Sequence, residues 1–249
     1  MSGTIRRRVW TTARAVPDEE AGFRIMLDAR PLRLPGGAML RPSSRTLADA
    51  VAVEWSEAGG GAVGGVFGPD ALVLTRLAGT LQERVAPARP RAIAMLLGYA
   101  DNDLLCYRAT HPAVLVDRQQ AAWQPWLDWA ARRHDAPLLV THGVMPVSQP
   151  QATVAALQVA LDAQDDAGLT GLGILVPALG SLVLGLAVAD GALDGASATE
   201  LALLDELQQL EQWGADAEAT DRHRMLAQEI ADAARFLSLI HISEPTRPY

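Results

Sequence analysis

The chain has 249 residues, 49% of them hydrophobic, with one cysteine and a formal charge of −8. That length allows one large or two modest domains with real cores, and the apolar fraction excludes a disordered chain. A single Cys excludes a disulfide scaffold or a multi-cysteine metal site, and the complete lack of Lys excludes Schiff-base, P-loop-lysine and lysine-base chemistry.

The N-terminus is basic through Arg6, Arg7 and Arg8 but has no apolar stretch behind it. A secretory signal needs that stretch, so cytoplasmic retention is expected. Phe23, Ile25 and Leu27 alternate with Arg24 and Met26 in the strand manner, and Asp28-Ala29-Arg30-Pro31 reads as a turn leading to a further strand at Leu32-Arg33-Leu34. Ser43 or Ser44 can cap a helix whose Leu47, Ala48, Val51, Ala52 and Trp55 share one face. Residues 59–68 form a glycine-rich loop, and Ala71-Leu72-Val73-Leu74 is expected as another strand. From Pro87 onward helical periodicity dominates, over 90–99, 119–133, 151–167, 176–190, 196–213 and 216–236, and only residues 138–141 suit an extended segment.

The expected fold class is therefore α+β. A small N-terminal α+β domain with a β-sheet, residues 1–86, precedes a larger all-helical C-terminal domain, residues 87–236. Residues 237–249 resemble the in-frame translation of a sequencing adapter and are set aside as a tail. Residues 172–189 carry no charge over eighteen positions, the lower edge of a membrane span. Pro177, Gly173, Gly180, Gly185 and the flanking Asp190 argue instead for a helix buried inside the helical domain, without stable membrane insertion.

Chemistry-bearing motifs are sparse. Gly59, Gly61 and Gly64 satisfy G-x-G-x-x-G, but a helix enters that loop and a strand leaves it, the reverse of a dinucleotide site. His111, His134, His142 and His223 lack metal-ligand spacing, and no cofactor or metal is expected. Cys106 lies in an apolar run and reads as a small buried hydrophobe. Asp101, Asp103, Cys106 and His111 remain the alternative: a small soluble hydrolase or transferase site, if a pocket joined them. Trp123, Trp126 and Trp129 recur every three residues, as core packing or as a binding ridge.

Charge is uneven along the chain. Residues 1–50 hold nine Arg against five acids, while residues 190–232 hold eleven acids against two Arg. The acidic balance argues against nucleic acid and favours a basic partner for the second stretch. Within it, Leu203, Leu207 and Leu210 form an apolar stripe, and Glu206 and Glu211 fall on other faces. Gly214 suits a helix C-cap, and Asp216 can cap the next helix.

Four blocks carry a family resemblance: Leu27-Asp28-Ala29-Arg30-Pro31-Leu32; Leu47-Ala48 with Glu54-Trp55; Asp103-Leu104-Leu105 and Tyr107-Arg108-Ala109 with Pro112, Gln119, Trp123, Pro125 and Trp129; and Gly180-Ser181-Leu182 with Asp205-Glu206, Gln208, Glu211, Trp213-Gly214 and Asp216. In this order, over residues 6–236, the chain resembles the ATP12-type assembly chaperones of the F-type ATP synthase. The resemblance implies a two-domain, non-catalytic protein of the bacterial cytoplasm that holds the unassembled alpha subunit until the beta subunit arrives; the free chain is expected to be monomeric. It implies partner binding at Glu206, Glu211, Trp213 and Asp216. Two departures stand out: the glycine-rich residues 59–68 replace the family's usual segment, and Ala29 stands where the family has Gly.

Overall fold

The computed structural model describes residues 5–20, 22–143, 147–214 and 216–241. The chain divides into two compact units. One comprises residues 1–88 together with the C-terminal helix from Arg235, and the other residues 89–234.

In the first unit, strands β2 (Ala13–Pro17), β3 (Phe23–Leu27) and β4 (Arg30–Pro31) form an antiparallel sheet, with Ile25 wholly buried. Helix α1 (Arg45–Glu57) packs across β2 and β3. It starts where the Ser44 hydroxyl accepts the Leu47 amide hydrogen, as its sequence predicts, and its buried residues are Leu47, Ala48, Val51, Ala52 and Trp55, the predicted face. At the other end of α1 the buried Arg8 guanidinium donates to the carbonyls of Ser56 and Ala58, satisfying acceptors the helix leaves free.

Three expectations for this unit change. The strand after the turn at Asp28 falls on Arg30–Pro31 itself, and Leu32-Arg33-Leu34, expected as a strand, keeps only an isolated bridge from Arg33 to Met39. Residues 59–68 are not only a loop: β1 (Arg6–Arg7) pairs antiparallel with β5 (Val66–Phe67) inside that stretch. Ala71-Leu72-Val73-Leu74 is not a strand. A 3₁₀ turn at Pro69–Ala71 leads into helix α2 (Val73–Thr80), which continues as a π-helical turn over Leu81–Val85. A four-residue apolar run has no period of its own; the helical burial of Leu74, Leu77 and Ala78 decides it.

The second unit contains α3 (Arg89–Leu97), α4 (Ala113–His134), α5 (Gln151–Asp162), α6 (Asp166–Leu179), α7 (Leu182–Ala189), α8 (Gly195–Ala202), α9 (Leu204–Trp213) and most of α10 (Ala217–His241). It is not wholly helical, since the short strands β6 (Tyr107–Arg108) and β7 (Thr141–His142) pair in parallel. The apolar stretch 172–189 is two helices. Gly180 turns the chain at φ 63°, and the Ser181 hydroxyl accepts the Leu184 amide hydrogen to start α7, all of whose residues are buried. Among the described residues no helix is long and apolar enough to cross a membrane. Helix α10 runs past Phe236 through Leu237, which is buried, to His241, and residues 242–249 lie outside the described residues.

Candidate interaction surface

The acidic stretch singled out by sequence forms α9, the turn at Gly214 and the start of α10. Gly214, at φ 87°, ends α9 by donating its amide hydrogen to the Leu210 carbonyl. The Asp216 carboxylate accepts the Ala219 amide hydrogen at 2.6 Å, so this predicted site residue is engaged in capping α10. Trp213 closes α9, and its side chain lies outside the described residues.

Glu206 and Glu211 are exposed, each with an ion partner from another helix. The Glu206 Oε2 atom lies 2.5 Å from His223 Nε2 and 3.4 Å from Arg222 Nη2, both on α10. The hydrogen bond to His223 leads the interactions that hold the Glu206 carboxyl below its ordinary value. Arg118 Nη1 on α4 donates to Glu211 Oε2 at 2.8 Å. The structure thus places the two carboxylates on one helix but gives them separate partners. Leu207, between them in sequence, is 38% exposed, so the predicted apolar stripe is open at this point.

Interior residues carried by the same blocks hold α9 in place. Gln119 Nε2 donates to Asp205 Oδ1 at 2.7 Å, while Gln119 Oε1 accepts the Ala109 amide hydrogen at 2.7 Å. The buried Arg108 guanidinium donates to the carbonyls of Leu105 and Gln119, each at 2.8 Å, and lies 5.4 Å from the Trp123 ring centroid. Trp123, wholly buried, donates its indole hydrogen to the Leu201 carbonyl. Trp126 and Trp129 are half-buried, so the tryptophan series is one core anchor and two partly exposed neighbours. Sequence reasoning held Gln119, Arg108 and Asp205 only as matching letters; a Gln and an Arg amid apolar neighbours were the signal for a buried polar network.

The alternative site does not assemble. Asp103 is wholly buried, with Oδ1 accepting from the Leu105 amide and Oδ2 from the Val183 amide, both at 3.0 Å. Burial pushes the Cys106 thiol up to about 12, the opposite of an activated nucleophile. Asp101 accepts the Gln149 amide hydrogen, and the exposed His111 contacts only the neighbouring Thr110 hydroxyl among the described hydrogen bonds. Among the described residues no cluster of three or more His, Cys, Asp or Glu side chains could hold a metal ion.

The family model described as ATP12 chaperone protein matches residues 7–131. A solved structure of Atp12 from Paracoccus denitrificans is 42% identical, covering 94% of this chain and 97% of that one, with a TM-score of 0.86. The chain belongs to the ATP12 chaperone family. A second solved structure, a putative chaperone from Agrobacterium tumefaciens, Atu1473, is 34% identical over 95% of this chain and 87% of that one, with a TM-score of 0.88. A point mutant of the Paracoccus Atp12 matches equally well, at 41% identity and a TM-score of 0.86. The ATP12 family serves ATP synthase assembly, so this chain is an assembly chaperone of α+β fold class.

Proposed function

We propose that this ATP12-family chain binds the unassembled alpha subunit of the F-type ATP synthase catalytic sector and keeps it from aggregating until it pairs with the beta subunit. It does so by binding rather than by catalysis. The observation that carries this reading is the match to Atp12 across nearly the whole of both chains, combined with an α9 that bears exposed carboxylates.

Glu206 and Glu211 are the groups proposed to meet the client. Their ion partners Arg118, Arg222 and His223 are side chains that a cationic client group can displace without unfolding the chaperone. Exposed pairs such as those with Arg118 and Arg222 are worth less than about 1 kcal/mol, so little stability is lost when they exchange. Trp213, the next member of the motif, belongs to the proposed surface by residue type, as an aromatic anchor. Asp216 contributes by fixing the turn between α9 and α10, with its second oxygen as a further acceptor. Co-expression with the alpha subunit followed by affinity capture at low salt tests the reading. Recovery of a one-to-one complex supports it, and capture of no alpha subunit overturns it.

A further inference from the structure

A cavity of about 220 Å³ opens within the unit of residues 1–88. Leu32, Leu34, Trp55, Phe67 and Leu72 make its buried floor, and the Trp55 and Phe67 rings pack edge-on with centroids 6.2 Å apart. The polar groups at the floor are spent on one another. The Trp55 indole donates to the Thr75 hydroxyl, which donates to Glu54, both at 2.9 Å. The cavity interior is therefore apolar. Its lining also includes three exposed cations, Arg6, Arg33 and Arg76, and no acidic side chain. Arg33 donates to the Gly37 carbonyl at 2.7 Å, and Arg76 lies 3.8 Å from the exposed Asp70 carboxylate, leaving both guanidinium planes with further donors. The cationic rim belongs to the Arg-rich first part of a chain whose net charge is −8.

We propose that this cavity is a second client-docking socket, which takes one bulky apolar side chain from an acidic segment while Arg6, Arg33 and Arg76 hold the flanking carboxylates. It rests on the chaperone reading above and adds a partner chemistry opposite to that of α9. Size and charge select this occupant together. The volume is below the roughly 300–1,000 Å³ of sites for nucleotides and similar small molecules, yet it admits a single Leu or Phe side chain. Carboxylates on either side of that residue meet the planar guanidiniums, whose forked donors suit them.

Gly68 supplies the sharpest test. It lines the cavity, its φ of −99° is open to any residue, and a Cβ there meets nothing within 4 Å. Gly68→Leu therefore adds a bulky side chain at the socket's lining without straining the backbone. The probe is a fluorescein-labelled pentapeptide with a central Phe and two acidic residues on each side, titrated into the full chain by fluorescence anisotropy. Controls replace the acids with Lys or the Phe with Ala.

Saturable binding of the acidic Phe peptide is expected, at least tenfold weaker for either control, for Gly68→Leu and for the double variant Arg6→Glu with Arg76→Glu. Circular dichroism and the thermal midpoint should match wild type for Gly68→Leu. No binding up to millimolar peptide, or equal binding by Gly68→Leu, overturns the socket. Capture of the alpha subunit in parallel separates the two ideas. Wild-type capture that Gly68→Leu leaves intact removes the socket and keeps the client, whereas peptide binding without alpha-subunit capture keeps the socket and removes that client.

Discussion

The Asp103 carboxylate accepts the Val183 amide hydrogen at 3.0 Å across 80 residues of sequence. One buried oxygen thereby satisfies an amide in the first turn of α7, while its partner oxygen closes the 3₁₀ turn before β6. Burial raises the Asp103 carboxyl above its ordinary value even against these amide hydrogen bonds. Asp103→Ala leaves two buried amides without acceptors and is expected to cost about 3 kcal/mol or more in urea denaturation, since each orphaned group costs roughly 1–3 kcal/mol. Asp103→Asn keeps one acceptor and should lose about half as much. Equal, small losses for both would show that water replaces the carboxylate.

Gly185 on α7 faces α6 at a distance that excludes a methyl group. A Cβ there would lie 2.6 Å from Val176 Cγ2 and 3.3 Å from Leu172 Cδ2. Gly185→Ala should destabilise by about 1–3 kcal/mol through overpacking, despite the better helix propensity of Ala. Adding Val176→Ala should recover part of that loss. A thermal midpoint that rises in the single variant would mean that the two helices separate freely.

Glu211 and Glu206 separate binding from folding. Glu211→Gln removes the ion pair with Arg118, whose members are about half exposed, so stability should move by about 0.5 kcal/mol or less while alpha-subunit capture weakens. Glu206 also carries a pH signature. Its folded-state carboxyl titrates below the unfolded value near 4.5, so its contribution is present above that pH and is lost as pH falls through the folded value. The stability difference between wild type and Glu206→Gln should therefore shrink as pH drops below about 4.5. A difference that persists at lower pH would show that charge is not its source.

His134 gives a pH dependence of the same sign from a different cause. Burial lowers the imidazole below its ordinary 6.5, with nearby Arg133 acting in the same direction and Asp190, 3.8 Å away, opposing both. Just below pH 6.5 the unfolded chain binds a proton that the folded chain does not, so stability falls as pH drops through that window and levels off above it. His134→Gln, which cannot titrate, should flatten the slope just below pH 6.5 in chemical denaturation. An unchanged slope would assign it to another group.

The two halves of the chain were unequally legible. Helix α1 was readable from its cap and its five apolar positions because a long amphipathic helix carries its own period. Residues 71–74 were not, because four apolar residues fit either period and the tertiary partner decides. The pairing of β1 with β5 depends on contacts about sixty residues apart, which no local signal records. At the candidate surface, Gly214 and Asp216 were legible as caps, which are local chemistry. Arg118 and His223 as partners of Glu211 and Glu206 were not, since each arrives from a different helix.

Helix α10 gives the first unit a dependence on the order of synthesis. Phe236 is wholly buried and belongs to the same unit as residues 1–88. A ribosome delivers the strands of that unit first, and the side chain that completes its core only after the whole second unit. The unit of residues 89–234, by contrast, is continuous in sequence. Phe236, a core side chain of the first unit, is thus made only after residues 89–234 have been translated.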